Sequence, residues 1–442
     1  MKTFGNAVHA LAGCGLFVVI AIVVALQVFF RTRHGVVFSF DSWVYWESAL
    51  ALAGGDGYVT VTGEPIKAWP VLFPLFLAGW DRTFGLDMAG VRAVLVFLSL
   101  VAGIVWARVW HISSQGLKSA YVLIGYFFII CYLPVWYDNF LSESLWVPLI
   151  GILFLAIDSS KLGALRFAGV ALVLALCLLC RNQSVALIPA FAAFLLLRFG
   201  LARCIPHCLA MLISLAVWVV VRQVQGQSDS HVVALHGGIP YQDLLSLVVR
   251  TGNLFAVSTA HLSTISLIFV ALLLALLVTR TRFVSTAESG VSSGFAWLGF
   301  SAVFWCTTAV ISVAVSMPVE TQRFYYFPVF IFLLGALQLA AVSKDNWVSS
   351  LATAVVVLTV LSSAYRAVYF LQHRSMMISL YPPSFEPDKE WVKESVASID
   401  AGLDKGGQLS ALAGQFGVAP STYRRWKSMP LAPEEISRAL DQ

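Results

Sequence analysis

The chain has 442 residues, 59% of them hydrophobic and only 12% charged, with a mean hydropathy of +0.84. One soluble core of ordinary composition cannot hide that much apolar surface, so the composition excludes a water-soluble globular protein and indicates a polytopic membrane protein. A formal net charge of +5 spread along the chain gives no footprint for nucleic acid, although basic residues near a bilayer would favour anionic lipid.

Lys2 precedes an apolar run from Ala7 to Phe30, longer than a signal-peptide core and without a small-residue cleavage site before Arg31 and Arg33. It reads as a retained first helix. A long polar break comes next, the first outer loop at 31–87. Inside it, Ser42 to Ala53 looks helical, and Trp69 to Gly85 is apolar but interrupted by Pro70 and Pro74, which suits an interfacial or re-entrant helix. Further apolar runs lie near 88–108, 119–137, 144–157, 167–180, 184–199, 208–222, 254–279, 295–316, 328–343 and 348–370. With the first helix these predict about eleven spans, an all-α transmembrane bundle rather than a barrel. Beyond Gln372 the composition turns polar, so residues 1–371 are expected to form the transmembrane domain and 372–442 a soluble, mainly helical tail. Residues 409–426 of that tail read as helix, Gly turn and helix. A helix-turn-helix has that pattern, but an amphipathic pair is the better reading on the outer face, where no DNA is met.

Placing the N-terminus inside puts nearly all acids outside; the inner breaks hold only Asp158, Glu288 and Asp345. Lys and Arg divide about equally, so the positive-inside rule does not choose the orientation. The seven cysteines lie in spans or beside their ends. Cys177 to Cys180 and Cys204 to Cys208 have metal-like spacings but read better as small core residues. His231, His236 and His261 show no liganding pattern, and the first loop has no Asp-x-Asp, so no metal and no cofactor are assigned. The sequon at Asn182 sits at the membrane surface, where modification is not expected.

Asp41 stands just past the first helix beside Trp43, Tyr45 and Trp46. Restricted hydration raises the basicity of such a carboxylate and suits it to general-base work; a helix N-cap before Ser42 is the equal alternative. Arg181 interrupts an apolar stretch, where an ionisable side chain calls for a partner, unless it snorkels from a helix end. Glu143 opens an apolar run, where it either orients a substrate or pairs with a basic residue, or simply complements the helix dipole.

The order of these features resembles a family. A first span is followed by Phe40-Asp41-Ser42 with Tyr45, by Gly57-Tyr58, and by Trp69-Pro70-Val71-Leu72-Phe73-Pro74-Leu75. Later come Leu141-Ser142-Glu143-Ser144-Leu145, Arg181-Asn182-Gln183 with Pro189, and Arg323-Phe324-Tyr325-Tyr326-Phe327-Pro328. Over roughly residues 1–370 this is similar to GT-C type glycosyltransferases that use polyprenyl-phosphate sugars, a group including protein O-mannosyltransferases and the lipid A aminoarabinose transferases. It departs from them in having Trp69-Pro70 where a Pro-Pro pair is common, and in the wide spacing of Asp138 and Glu143.

The resemblance implies that Asp41 is the base that deprotonates an acceptor hydroxyl for in-line, inverting attack on a lipid-linked sugar. Glu143 would be a second acid across the cavity. Arg181, Arg323 and Lys67 are the candidate cations for the leaving phosphate, since guanidinium groups hold phosphate bidentately. Tyr45, Tyr58, Asp138 and Glu320 complete the candidate substrate contacts, with a Glu320–Arg323 surface pair an equal alternative. The implied partners are a polyprenyl-phosphate sugar, a lipid, polysaccharide or protein acceptor, and the bilayer, with no nucleic acid. The implied location is the cytoplasmic (inner) membrane, with the site on its outer, periplasmic side. Competing readings are a transporter or flippase of lipid-linked glycans, a polysaccharide polymerase, and a membrane scaffold. A transporter would be expected to show mid-membrane charges and an internal repeat.

Overall fold

The computed structural model describes residues 2–33, 36, 40–60, 63, 65–67, 69–137, 140–157, 163–225, 289–314, 322–342, 350, 353–354, 356–357, 389–406, 408–409 and 411–412. Among these the secondary structure is helical apart from one isolated bridge, Val59 with Pro65. The helices are α1 (Lys2–Arg31), α2 (Phe40–Gly54), α3 (Leu72–Phe84), α4 (Met88–Ser113), α5 (Ser119–Tyr132), α6 (Glu143–Ile157), α7 (Ala164–Cys180), α8 (Leu187–Phe199), α9 (Leu201–Val224), α10 (Ser289–Ala314), α11 (Gln322–Val342) and α12 (Lys389–Asp404).

Four described segments are long and apolar enough to cross a bilayer: Ala89–Ser113, Ser119–Tyr137, Asn182–Phe199 and Cys204–Val224; shorter apolar helices accompany them. Nine of the eleven expected runs carry a described helix. The run at 254–279 lies outside the described residues, and that at 348–370 is described only at its start. The exterior confirms the class of protein. Leu16, Val19, Ile22, Leu26 and Phe30 of α1, and Leu209, Leu212, Val220 and Val224 of α9, are all exposed, large apolar side chains on the outside of helices that lipid solvates. The expected all-α membrane bundle is what folds.

Prolines move several boundaries. The apolar run 119–137 is not one α-helix, because Pro134 has no N–H to donate to the Ile130 carbonyl, which accepts from Gln27 Nε2 at 3.0 Å instead, and the chain tightens into a 3-10 turn at Leu133–Tyr137. A similar turn, Asn182–Ala186, precedes α8. Helix α9 starts at Leu201, ahead of the expected 208. Pro206 falls in its second turn and His207 is buried. At the start of α4 the Asp87 side chain accepts from Gly90 N at 2.7 Å, a conventional cap.

Lacking a hydrophobic drive in lipid, helices associate through close backbone approach. A Cβ at Gly103 of α4 would stand 2.7 Å from the Ala21 Cα of α1, and one at Gly335 of α11 would stand 2.9 Å from the Trp297 Cβ of α10. Aromatic rings fill the centre: Phe154 stacks on Trp297 at 4.6 Å, and Trp106 meets Phe330 edge-on at 4.9 Å. Polar contacts fix the direction of travel. Gln183, ahead of α8, reaches Thr308 late in α10, whereas Arg198, late in α8, bonds Ser293 early in α10. At that second end Gln338 donates to the Ser113 carbonyl at 3.2 Å. Successive helices therefore alternate, and the ends of α1, α5, α7 and α10 share one face with the starts of α6, α8 and α11. In the tail only α12 and a few residues to Leu412 are described; the rest of the 409–426 pair lies outside the described residues.

Candidate active site

The first loop folds onto that shared face. Helix α2 is pinned to α3 and to the turn beyond it: the Trp46 indole donates to the Leu86 carbonyl at 2.8 Å, and Arg82 of α3 donates to the Leu52 and Ala53 carbonyls, both at 3.2 Å. The arginine bonds satisfy carbonyls that the C-terminal end of a helix leaves open. Ring contacts of Tyr45 on Phe73 (5.4 Å) and Phe73 on Phe140 (5.5 Å) continue the packing into the bundle.

Asp41 lies in the first turn of α2, where the dipole favours a carboxylate. It is partly buried, and its Oδ1 accepts the Trp69 indole N–H at 3.1 Å. Trp69 is itself held, because the Tyr58 hydroxyl donates to the carbonyls of Trp69 (2.9 Å) and Pro70 (3.3 Å). Four residues on, Tyr45 is buried and donates to the Ser142 hydroxyl at 3.3 Å. Burial above all, and then the Asp41 carboxylate, push its phenol well above the ordinary range; Arg181 and the Ser142 bond oppose this, and Glu143 adds to it. Burial, with a smaller contribution from Tyr45, raises the Tyr58 phenol likewise.

The other half of the site comes from chain reversals deep in the bundle. Glu143 opens α6, and Arg181 comes directly after α7 in an extended conformation. The two form an ion pair, Arg181 Nη1 to Glu143 Oε2, at 2.5 Å, with side chains 9% and 5% exposed. Arg181 thus does not snorkel. Its Nη1 also donates to Ser142 Oγ at 3.3 Å, its Nε donates to Gln183 Oε1 at 3.0 Å, and its guanidinium carbon lies 6.0 Å from the Trp146 ring. Gln183 in turn donates to Thr308 Oγ1 at 3.5 Å, and Trp146 donates to Ser184 at 2.6 Å, which donates to the Cys177 carbonyl at 2.6 Å.

One end of the bundle therefore brings Asp41, Tyr45, Tyr58, Glu143 and Arg181 together from three separate stretches of chain. Lys67 is exposed on the loop. Arg323 occupies the first turn of α11, four residues before Phe327, whose ring lies 5.1 Å from that of Trp146; its backbone is thus at the same end of the bundle. Asp138 and Glu320 lie outside the described residues. Sequence reasoning passed over Trp69, Ser142, Gln183 and Thr308 as site residues. Trp69, Ser142 and Gln183 stood within the family-like motifs, whereas nothing local marks Thr308. Of the cysteines with metal-like spacings, Cys177, Cys180 and Cys204 are buried core residues and Cys208 is half-buried; Cys306, outside those pairs, is exposed. Among the described residues no group of three His, Cys, Asp or Glu gathers as a metal site would require.

A membrane bundle of alternating helices with a helical first loop seated on one end is the fold that the GT-C resemblance leads one to expect. The chain shares this fold with ArnT from Cupriavidus metallidurans, solved as a crystal structure bound to undecaprenyl phosphate: TM-score 0.50 at 14% identity, over 92% of this chain and 75% of that one. The oligosaccharyltransferase of Archaeoglobus fulgidus, solved with zinc and sulfate, aligns over 86% of this chain and 55% of its own length at 13% identity, with a TM-score of 0.38. No protein-family model matches the sequence, and no curated protein matches it significantly.

Proposed function

We propose that this chain is an integral membrane glycosyltransferase that moves a sugar from a polyprenyl-phosphate donor to an acceptor hydroxyl with inversion at the anomeric carbon. The observation that carries the reading is the meeting of Asp41 with the buried Arg181–Glu143 pair around one phenol, Tyr45, at a single end of the bundle. The shared fold lends support, since ArnT was captured with undecaprenyl phosphate.

In this reading the acceptor oxygen attacks C1 as its proton passes to the Asp41 carboxylate. The bond from C1 to the phosphate oxygen breaks and its electron pair stays on the phosphate. A carboxylate oriented by an indole N–H is suited to that proton transfer, and a guanidinium in a low-dielectric site stabilises the growing phosphate charge. Arg181 takes that role, with Arg323 and Lys67 as further proposed cations and Asp138 and Glu320 as proposed contacts of the outer loops. Tyr45 and Tyr58 spend their hydroxyls on the protein, which suits them to shaping the substrate site. The acceptor is a lipid, polysaccharide or protein hydroxyl, and no cofactor enters the reaction. We place the chain in the cytoplasmic membrane with this end facing outward.

The test is transfer from a panel of radiolabelled polyprenyl-phosphate sugars into membrane acceptors, supplied to sealed vesicles of known sidedness. Wild type and Asp41→Asn are compared at matched abundance. Transfer on the outer face that falls about 10²- to 10⁴-fold in the variant is expected of a lost general base. Equal transfer by both would remove Asp41 from the role, and no transfer from any donor would sink the enzyme reading in favour of a transporter.

A further inference from the structure

Arg181 is already neutralised. Its guanidinium is paired with Glu143 at 2.5 Å, and both side chains are almost fully buried, so a phosphate arriving beside the intact pair would meet a carboxylate as well as the cation. At a few ångströms and an intermediate dielectric that repulsion is comparable to the attraction sought. Two features let the pair open without dismantling the site. The guanidinium is held independently by neutral groups, Gln183 Oε1 at 3.0 Å and Ser142 Oγ at 3.3 Å. These are anchored in turn by Thr308 and Tyr45. Glu143, for its part, is the first residue of α6, where the dipole of the helix still favours a carboxylate that has let go of its partner.

We infer that Glu143 is a displaceable counter-ion: a prenyl phosphate takes its place on Arg181, and re-pairing of Glu143 with Arg181 expels the spent prenyl phosphate. This rests on the glycosyltransferase reading above and deepens it by giving Glu143 a part in the binding and release of the lipid phosphate. The exchange is graded by chemistry. The donor is a phosphodiester with one negative charge, and the leaving prenyl phosphate carries up to two, so Arg181 is drawn from Glu143 most strongly as the glycosidic bond breaks. Without the carboxylate, Arg181 would hold the product too well.

The experiment measures inhibition of sugar transfer by farnesyl phosphate and, separately, by inorganic phosphate, for wild type, Glu143→Gln and Glu143→Asp, with size-exclusion profiles as the check on folding. Glu143→Gln keeps a hydrogen-bond acceptor but removes the competing charge. It is expected to bind farnesyl phosphate about ten-fold more tightly and to lower donor KM in parallel, with kcat reduced by slower release. Glu143→Asp, whose shorter carboxylate stands back from Arg181, is expected to fall between the two, and it decides the matter alone if the glutamine variant does not fold. Unchanged or weaker farnesyl phosphate binding in the variants would overturn the inference while leaving wild-type transfer, and so the enzyme reading, intact. Tightening of equal size for inorganic phosphate would overturn the assignment to a lipid phosphate. Wild-type protein that transfers from no polyprenyl-phosphate sugar would instead sink the reading beneath it.

Discussion

The Arg181–Glu143 pair makes a stability prediction that depends on its burial. Removing one partner of a buried pair leaves a charge out of water, typically at a cost of about 3–5 kcal/mol, whereas replacing both by neutral groups of similar size is often close to neutral. Here the side chains are 9% and 5% exposed, but each keeps a fallback: Arg181 retains Gln183 and Ser142, and Glu143 retains the start of α6. The lower end therefore applies, roughly 3 kcal/mol for Glu143→Gln and for Arg181→Met. The double variant should lose less than either single one, where additivity would give a loss of about 6 kcal/mol. Unfolding of the purified protein by SDS titration in mixed micelles measures all four corners of the cycle. A double variant as damaged as the sum would show that the two groups do not share one buried charge balance, and the argument from burial would be wrong.

Two further outcomes rest on the same geometry. Trp69→Phe keeps the ring but removes the N–H that Asp41 accepts at 3.1 Å; a hydrogen bond to a charged group is worth about 1.5–3 kcal/mol, so transfer should fall by ten-fold or more at unchanged abundance, and full activity would show that Asp41 needs no such hold. The phenols of Tyr45 and Tyr58 are raised by burial. At high pH the unfolded chain ionises them first and the folded chain resists, so their contribution is complete below an ordinary phenol pKa of about 10 and is lost as pH climbs from there toward the raised folded values. Stability profiles across pH 9 to 12 should fall less steeply in the Tyr45→Phe, Tyr58→Phe double variant than in wild type; superimposable slopes would contradict the burial of these hydroxyls.

Much of this architecture was legible because lipid makes the code simple: a run long enough to cross is a helix, and polar breaks mark its ends. What defeated the reading was local backbone chemistry inside apolar runs, as at Pro134, where hydropathy is blind to a missing N–H donor. In the site, the ionisable residues declared themselves. Asp41, Glu143 and Arg181 stand out against apolar neighbours, and a membrane gives such residues few reasons to be there. Their neutral partners did not. Gln183 finds Thr308 across 125 residues and Ser142 finds Arg181 across 39, and nothing local distinguishes a serine or glutamine at a helix end that will be recruited from one that will face water. Trp69 was passed over for another reason: an indole in an aromatic-rich loop reads as an interfacial anchor, and only the fold of the loop aims its N–H at a carboxylate.

The packing of the first loop and the electrostatics of the site are one problem. Arg181 and Glu143 lie at chain reversals, places that in an open bundle would be wet, and a wet pair in this position would be worth little. Phe73, Tyr45 and Phe140 form an aromatic layer between α2, α3 and the bundle, and Ser142 accepts from the loop through Tyr45 and from the bundle through Arg181. The same contact that seats the loop thus dehydrates the pair and orients the guanidinium, and it does so through a phenol four residues from Asp41. Base and cation cannot be positioned separately in such a design: moving α2 shifts both, which is why their geometry is written into three distant stretches of sequence at once.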